Sequence, residues 1–153
     1  MKLFKGAWDK VKDWLTGRKK ADKVEKPVVD LFEQLGATIK TNVQRHIQAQ
    51  DLGWIPLAQS TIKRKGHADI YIEKGDYLIN IDVDIERRKS RVILRVGPSG
   101  KMTRKGITFQ ELATYLEYGT ATIPPRPVWG PSFREVKKSK LYKDILDKVT
   151  ADF

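Results

Sequence analysis

Apolar side chains along this chain fall into two rhythms, and the change from one to the other divides it. At Leu3, Phe4, Ala7, Trp8, Val11, Trp14 and Leu15 they stand three or four residues apart. That spacing lays one stripe along a helix, with lysines and aspartates opposite and Gly17 placed to end it. Val28, Leu31, Phe32, Leu35, Ile39, Val43 and Ile47 recur at the same steps and predict the longest helix. Pro27 suits its first turn, where the missing N–H is not needed. Gly36 inside it costs about 1 kcal/mol relative to alanine, so close packing against that position is expected. His46 neighbours the stripe and reads as a helix-surface or boundary residue, and Asp51-Leu52-Gly53 ends the helix.

From Tyr77 the period becomes two. Tyr77, Ile79, Ile81, Val83 and Ile85 face one way, and Asn80, Asp82, Asp84 and Glu86 the other, the signature of a half-buried strand. After a turn at Arg87–Ser90, Val92, Leu94 and Val96 continue as the antiparallel partner, with Arg91 and Arg95 opposite the acidic set. A third strand is expected from Asp69 to Glu73, from Ala121 to Ile123, or from Pro127 to Trp129. Between the long helix and the hairpin, Trp54 and Leu57 are core candidates, and Ser60 or Thr61 is placed to cap a short turn carrying Lys63, Arg64 and Lys65. Lys101 to Gly106 reads as a mobile basic loop.

Thr108 with Glu111 is a capping-box pair, and Ser132 with Glu135 reads as a second. They predict a helix ending at Tyr118 and a single closing helix carrying Phe133, Val136, Leu141, Ile145, Leu146 and Val149. Between them, Gly119 turns the chain and Pro124, Pro125 and Pro127 hold it extended. The order of elements is that of an α+β domain. Residues 1–26 read as an amphipathic, basic N-terminal helix and linker, and residues 27–153 as one domain. The N-terminal helix, with Trp8 and Trp14, has three readings: insertion into a neighbouring subunit, packing on its own domain, or contact with a membrane surface.

Charge and composition narrow the function. The 153 residues suffice for one domain with a real core. No apolar run approaches the roughly 20 residues of a membrane span, and lysines and aspartates interrupt every candidate leader core near the N-terminus. Cysteine is absent, which excludes disulfides, thiolate metal sites and cysteine catalysis. The net charge of +11 favours nucleic acid, an anionic membrane or an acidic protein partner. Arg64, Lys65, Arg104 and Lys105 are the candidate phosphate contacts. Asp82, Asp84 and Glu86 point the same way along one strand but spread out, with no histidine near, so a metal site is not expected there. Neither a phosphate-binding glycine loop nor a nucleophile elbow occurs, and no cofactor or enzymatic activity is expected.

Two phrases carry a resemblance. Trp54-Ile55-Pro56-Leu57-Ala58-Gln59-Ser60-Thr61-Ile62-Lys63-Arg64-Lys65-Gly66 is one. The other is Glu111-Leu112-Ala113-Thr114-Tyr115-Leu116-Glu117-Tyr118-Gly119-Thr120, followed by Ile123-Pro124-Pro125-Arg126-Pro127-Val128-Trp129-Gly130-Pro131. In this order they resemble the virion morphogenesis (tail completion) family of tailed bacteriophages and the related neck proteins. Lys74-Gly75-Asp76 stands where that family has Thr-Gly, and Val128-Trp129 replaces its Phe-Leu. The resemblance implies a structural virion protein at the head–tail junction, a ring of identical subunits between the head connector and the tail tube or tail terminator. Such a protein assembles in the host cytoplasm. It implies interface roles for Gly119, Thr120, Pro124, Pro125, Pro127, Arg126 and Trp129. For Arg126 and Trp129 the alternative is an internal clamp, Arg126 to a carboxylate such as Glu117 and Trp129 over the core. The rival function is a non-specific DNA-binding accessory protein.

Overall fold

The computed structural model describes residues 21–88 and 91–151, so the expected N-terminal helix with Trp8 and Trp14 lies outside the described residues. Helix α1 runs Ala21–Ala49. It starts before Pro27 rather than at it, and the stretch expected as linker up to residue 26 is helical from Ala21. The residues ahead of Pro27 tolerate a helix, and a proline near a helix start removes a single ladder bond. At the other end Gln50 turns the chain with φ 52°. Its side-chain amide donates to Ile70 O (2.9 Å) and accepts from Ile70 N (2.8 Å), as a neighbouring strand would. This replaces the strand expected at 69–73.

Helix α2 (Gln59–Lys65) follows Ala58 without a side-chain cap, and Ser60 and Thr61 lie inside it. A single turn, α3 (Asp76–Ile79), then precedes the hairpin. Here the alternation misleads. A helical turn keeps Tyr77 and Ile81 on one side and turns Ile79 away, and Ile79 is indeed 76% exposed while the other two are buried. Strands β1 (Ile81–Arg88) and β2 (Arg91–Pro98) pair antiparallel with Ile81 opposite Pro98 and Arg88 opposite Arg91. They form a two-stranded sheet, and none of the three segments expected as a further strand joins it. On its polar face Arg95 lies opposite Asp84 and pairs with both Asp84 (3.2 Å) and Glu86 (2.5 Å).

After the hairpin, residues 102–108 close into a tight turn in place of the expected mobile loop. Met102 bridges Thr108, Thr103 N donates to Ile107 O (2.7 Å), and Gly106 N to Thr103 O (3.1 Å). Helix α4 (Phe109–Tyr118) carries its capping box: Thr108 Oγ1 accepts from Glu111 N (3.1 Å), and Glu111 Oε2 from Thr108 N (2.8 Å). The closing helix is two helices, α5 (Trp129–Lys138) and α6 (Lys140–Ala151). Ser139 separates them, its hydroxyl donating to Val136 O (2.6 Å) and accepting from Tyr142 N (3.3 Å), so that it ends one helix and starts the next. The architecture is α+β, with α1 packed against both strands and against α5 and α6.

Helix α1 joins two apolar clusters. Its first half places Leu31, Leu35 and Ile39 against Val136 of α5 and Ile145 of α6. Its second half places Val43 and Ile47 among Ile70, Tyr71, Tyr77, Ile81, Phe109, Ala113 and Val128. Between them Gly36 lets the sheet approach, since a Cβ there would lie 2.5 Å from Val83 Cγ1 and 3.0 Å from Leu94 Cδ1. Gly36→Ala therefore trades about 1 kcal/mol of helix propensity against overpacking worth about 1–3 kcal/mol. The expected outcome is a net loss of stability in urea melts, recovered in the Gly36→Ala/Val83→Ala double variant. A stabilised single variant would show that the strands give way freely.

Candidate functional site: the proline segment and its clamp

The backbone between α4 and α5 has few groups free for regular pairing, so its side chains and carbonyls find partners far along the chain. Arg126 is 6% exposed. Its Nε donates to Ile55 O (2.8 Å) and its Nη2 to Pro56 O (3.1 Å). Those carbonyls are available because Pro56 keeps their loop out of helix and sheet. The main chain at the same residue is held twice more: Arg126 N donates to Leu116 O (2.6 Å) and Tyr71 Oη to Arg126 O (2.7 Å). One residue on, Trp54 Nε1 donates to Pro127 O (2.8 Å). Arg126 thus sits in an internal clamp whose acceptors are carbonyls rather than the Glu117 carboxylate. Burial lowers its pKa from the ordinary arginine value, but a guanidinium keeps its proton at any physiological pH.

Glu117 is used elsewhere. Its Oε2 accepts from Val128 N (2.8 Å) and Trp129 N (3.0 Å), and its Oε1 from Gly130 N (2.8 Å). The next residue is Pro131, which has no N–H, and Ser132 N makes the first bond inside the helix, to Val128 O (3.1 Å). One carboxylate therefore satisfies the free donors at the start of α5 and opposes the positive end of its dipole. Gly130 makes room, since a Cβ there would lie 3.1 Å from Glu117 Oε1. The Ser132–Glu135 box does not form. Ser132 is fully buried in the helix, and Glu135 faces Arg45 and His46.

A row of aromatic rings backs the clamp: Trp54 to Tyr71 at 5.4 Å, Tyr71 to Tyr77 at 5.0 Å, Tyr77 to Phe109 at 6.2 Å. Trp129 joins it by donating Nε1 to Tyr77 Oη (3.0 Å). Tyr71 adopts φ 65°, a backbone conformation that an aromatic residue holds only when its surroundings impose it. Burial pushes both phenols, Tyr71 and Tyr77, well above the ordinary tyrosine value.

What the segment leaves outside is the turn before Arg126. Gly119 has φ 78°, and a Cβ on it would meet Ile123 O at 2.9 Å. Thr120 N donates to Ile123 O (2.8 Å) and Thr120 Oγ1 accepts from Ile123 N (3.1 Å), so the turn is closed. Tyr118 beside it is 79% exposed. Thr120, Ala121, Thr122 and Pro125 are exposed, while Pro124 and Pro127 are half-buried.

The basic candidates converge. Arg64 pairs with Glu73 Oε1 (2.8 Å) and Lys105 with Glu73 Oε2 (3.5 Å), while Arg104 pairs with Asp76 (3.3 Å). Lys65 donates to Asp69 O (2.7 Å). The Arg64 hydrogen bond, with Lys105 nearby, holds the Glu73 carboxyl below its ordinary value. Sequence reasoning placed His46 at the helix surface or boundary, but it is 6% exposed. Its Nδ1 lies 2.6 Å from Asp51 Oδ1 and its Nε2 2.9 Å from Glu135 Oε2, and Arg45 reaches the same two carboxylates. These contacts bolt α5 to the end of α1. The hydrogen bond from His46 also holds the Asp51 carboxyl below its ordinary value. Asp51 lies just past the end of His46's helix and Glu135 far along the chain, so the periodicity of the stripe carried no sign of this cluster. Among the described residues no group of three or more His, Asp or Glu side chains is placed to hold a metal ion.

No family model, curated protein or solved structure matches the chain.

Hydrogen bonds to charged groups contribute about 1.5–3 kcal/mol each. Arg126→Ala removes both hydrogen bonds from the guanidinium to the Ile55 and Pro56 carbonyls and should destabilise the fold by about 2–4 kcal/mol in urea melts, with Arg126→Lys in between because an ammonium lacks the fork. Unchanged melts would remove the clamp as the organising contact. A second expectation concerns alkali. A phenol whose pKa is raised by folding contributes stability that is complete below about pH 10 and lost as pH rises beyond it. The urea midpoint should therefore fall steadily as pH rises above about 10, and fall less steeply in Tyr71→Phe/Tyr77→Phe. Equal slopes would mean that other groups set the alkaline limit.

Proposed function

We propose that this chain is a structural virion protein of the tailed-bacteriophage head–tail junction. In this reading it is a neck or tail-completion subunit that joins copies of itself into a ring between the head connector and the tail tube or terminator. The observation that supports this is the coincidence of the resemblance with the clamp. The two phrases similar to that family meet in the fold: Trp54, Ile55 and Pro56 of the first are the partners of Arg126 and Pro127 of the second, 70 to 73 residues on. Glu117, Gly130 and Pro131 of the second phrase form the start of α5. Residues that resemble a family signature are here the ones that hold a surface turn in shape.

A ring needs head-to-tail contacts between unlike patches of identical subunits. A turn already closed by its own hydrogen bonds loses little entropy on docking, and tyrosine is a residue that anchors interfaces. The docking edge is therefore Tyr118, Thr120, Thr122 and Pro125. Arg126 and Trp129 form the scaffold beneath it rather than the contact itself. No catalytic step or cofactor belongs to this role.

Tyr118→Ala removes an exposed ring and should change stability by less than about 0.5 kcal/mol, yet abolish the ring-sized species seen by light scattering when the chain is mixed with its connector. Particles made with the variant should accumulate as unjoined heads and tails. Infectious particles at wild-type yield from a host lacking the chain altogether would overturn the proposal.

A further inference from the structure

The excess positive charge is not concentrated where the basic loops converge. There four of the cations have partners: Arg64 and Lys105 share Glu73, Arg104 meets Asp76, and Lys65 meets the Asp69 carbonyl. The corner between α5 and α6 is different. Lys137 and Lys138 close α5, Lys140 and Lys143 open α6, and all four side chains are exposed. Among the described residues none of the four forms an ion pair. Glu135, the carboxylate of the same turn of α5, is taken by Arg45 and His46. Asp144, which follows Lys143, is exposed and pairs with none of them. Phe133, 45% exposed, lies one turn back with Lys137 Nζ 5.9 Å from its ring centre.

We propose that this corner binds the phosphate backbone of double-stranded DNA without reading its sequence. Four lysines within seven residues, none of them in an ion pair among the described residues, form a field that a polyanion neutralises. Lysine is depleted at protein–protein interfaces, which argues against a protein as the occupant. Each phosphate neutralised releases counterions, so binding should be steeply salt-dependent. The site stands whether or not the ring forms, because every lysine it uses belongs to one subunit.

The test compares two variants that each lower the net charge from +11 to +7. One is Lys137→Gln/Lys138→Gln/Lys140→Gln/Lys143→Gln, and the other Arg64→Gln/Lys65→Gln/Arg104→Gln/Lys105→Gln. Binding to a fluorescent 30-base-pair duplex is read by anisotropy at several salt concentrations, with circular dichroism to verify folding and light scattering to report oligomeric state. The corner variant should lose tenfold or more in affinity, and its log–log salt slope should flatten by about 3–4. The ion-paired variant should lose less than threefold. Equal losses would show that bulk charge alone drives binding and would overturn the site. So would absence of binding by the wild-type chain, or competition by polyglutamate as effective as by unlabelled DNA, which would point to an acidic protein. Should the quadruple variant misfold, Lys138→Gln/Lys140→Gln carries the same comparison against Arg104→Gln/Lys105→Gln.

Discussion

Arg126 brings a guanidinium into the interior with no carboxylate to meet it, and much of the fold follows from satisfying it with carbonyls instead. A buried unpaired cation is costly. Here the loop at Ile55 and Pro56 supplies the acceptors, and it can do so because a proline and a tryptophan keep it extended. The loop stays in place because Trp54 is bonded to Pro127 and its ring lies against Tyr71, whose hydroxyl returns to Arg126 O. Each group is held by the others, so the contribution of any one of them includes the pairing it secures for its neighbours. The strained backbone at Tyr71 is sustained by the same closed set of contacts.

The parts legible in the sequence were those whose cause is local. The Thr108–Glu111 box, the close approach at Gly36, the turn at Gly119 and the Asp84–Arg95 pairing each depend on neighbours along the chain or on a pairing that the hairpin fixes. What was misread has partners at a distance. Ser132 and Glu135 have the spacing of a cap, but the helix starts earlier, at Trp129, with Glu117 on its first donors, so Ser132 lies inside it and Glu135 is drawn to His46. The segment at 69–73 has the composition of a strand, but the edge it meets is the amide of Gln50. At Ile79 two periods fit the same residues, and only the fold decides between them.

The candidate site shows the same division. Its boundaries, from Glu117 to the start of α5, follow from Gly119 and the prolines. The roles within it did not. An internal clamp for Arg126 was one of the two readings, but with a carboxylate such as Glu117 as its partner, and nothing local indicates carbonyls seventy residues away. Once Arg126 and Trp129 are inside, the surface that remains is the closed turn with Tyr118, a shape defined by backbone hydrogen bonds and therefore dependent on the clamp below it.

Charge links the two proposals. In the proposed ring, subunits of net charge +11 would repel one another as it closes. Ion pairs around Glu73 quench part of that field at short range, but among the described residues the α5–α6 corner has no such counterpart. Salt screens exposed charges beyond a Debye length of roughly 8–10 Å, so only corners brought closer than that oppose assembly. A ring can meet this in two ways. It can hold the corners apart on its rim, or turn them toward a common polyanion whose neutralisation outweighs the repulsion between them. In the second arrangement DNA bound at the proposed site would also stabilise the ring, so that salt would weaken assembly and DNA binding together. In the first, salt would favour closure while weakening the grip on DNA, and the opposite signs of the two effects distinguish the arrangements.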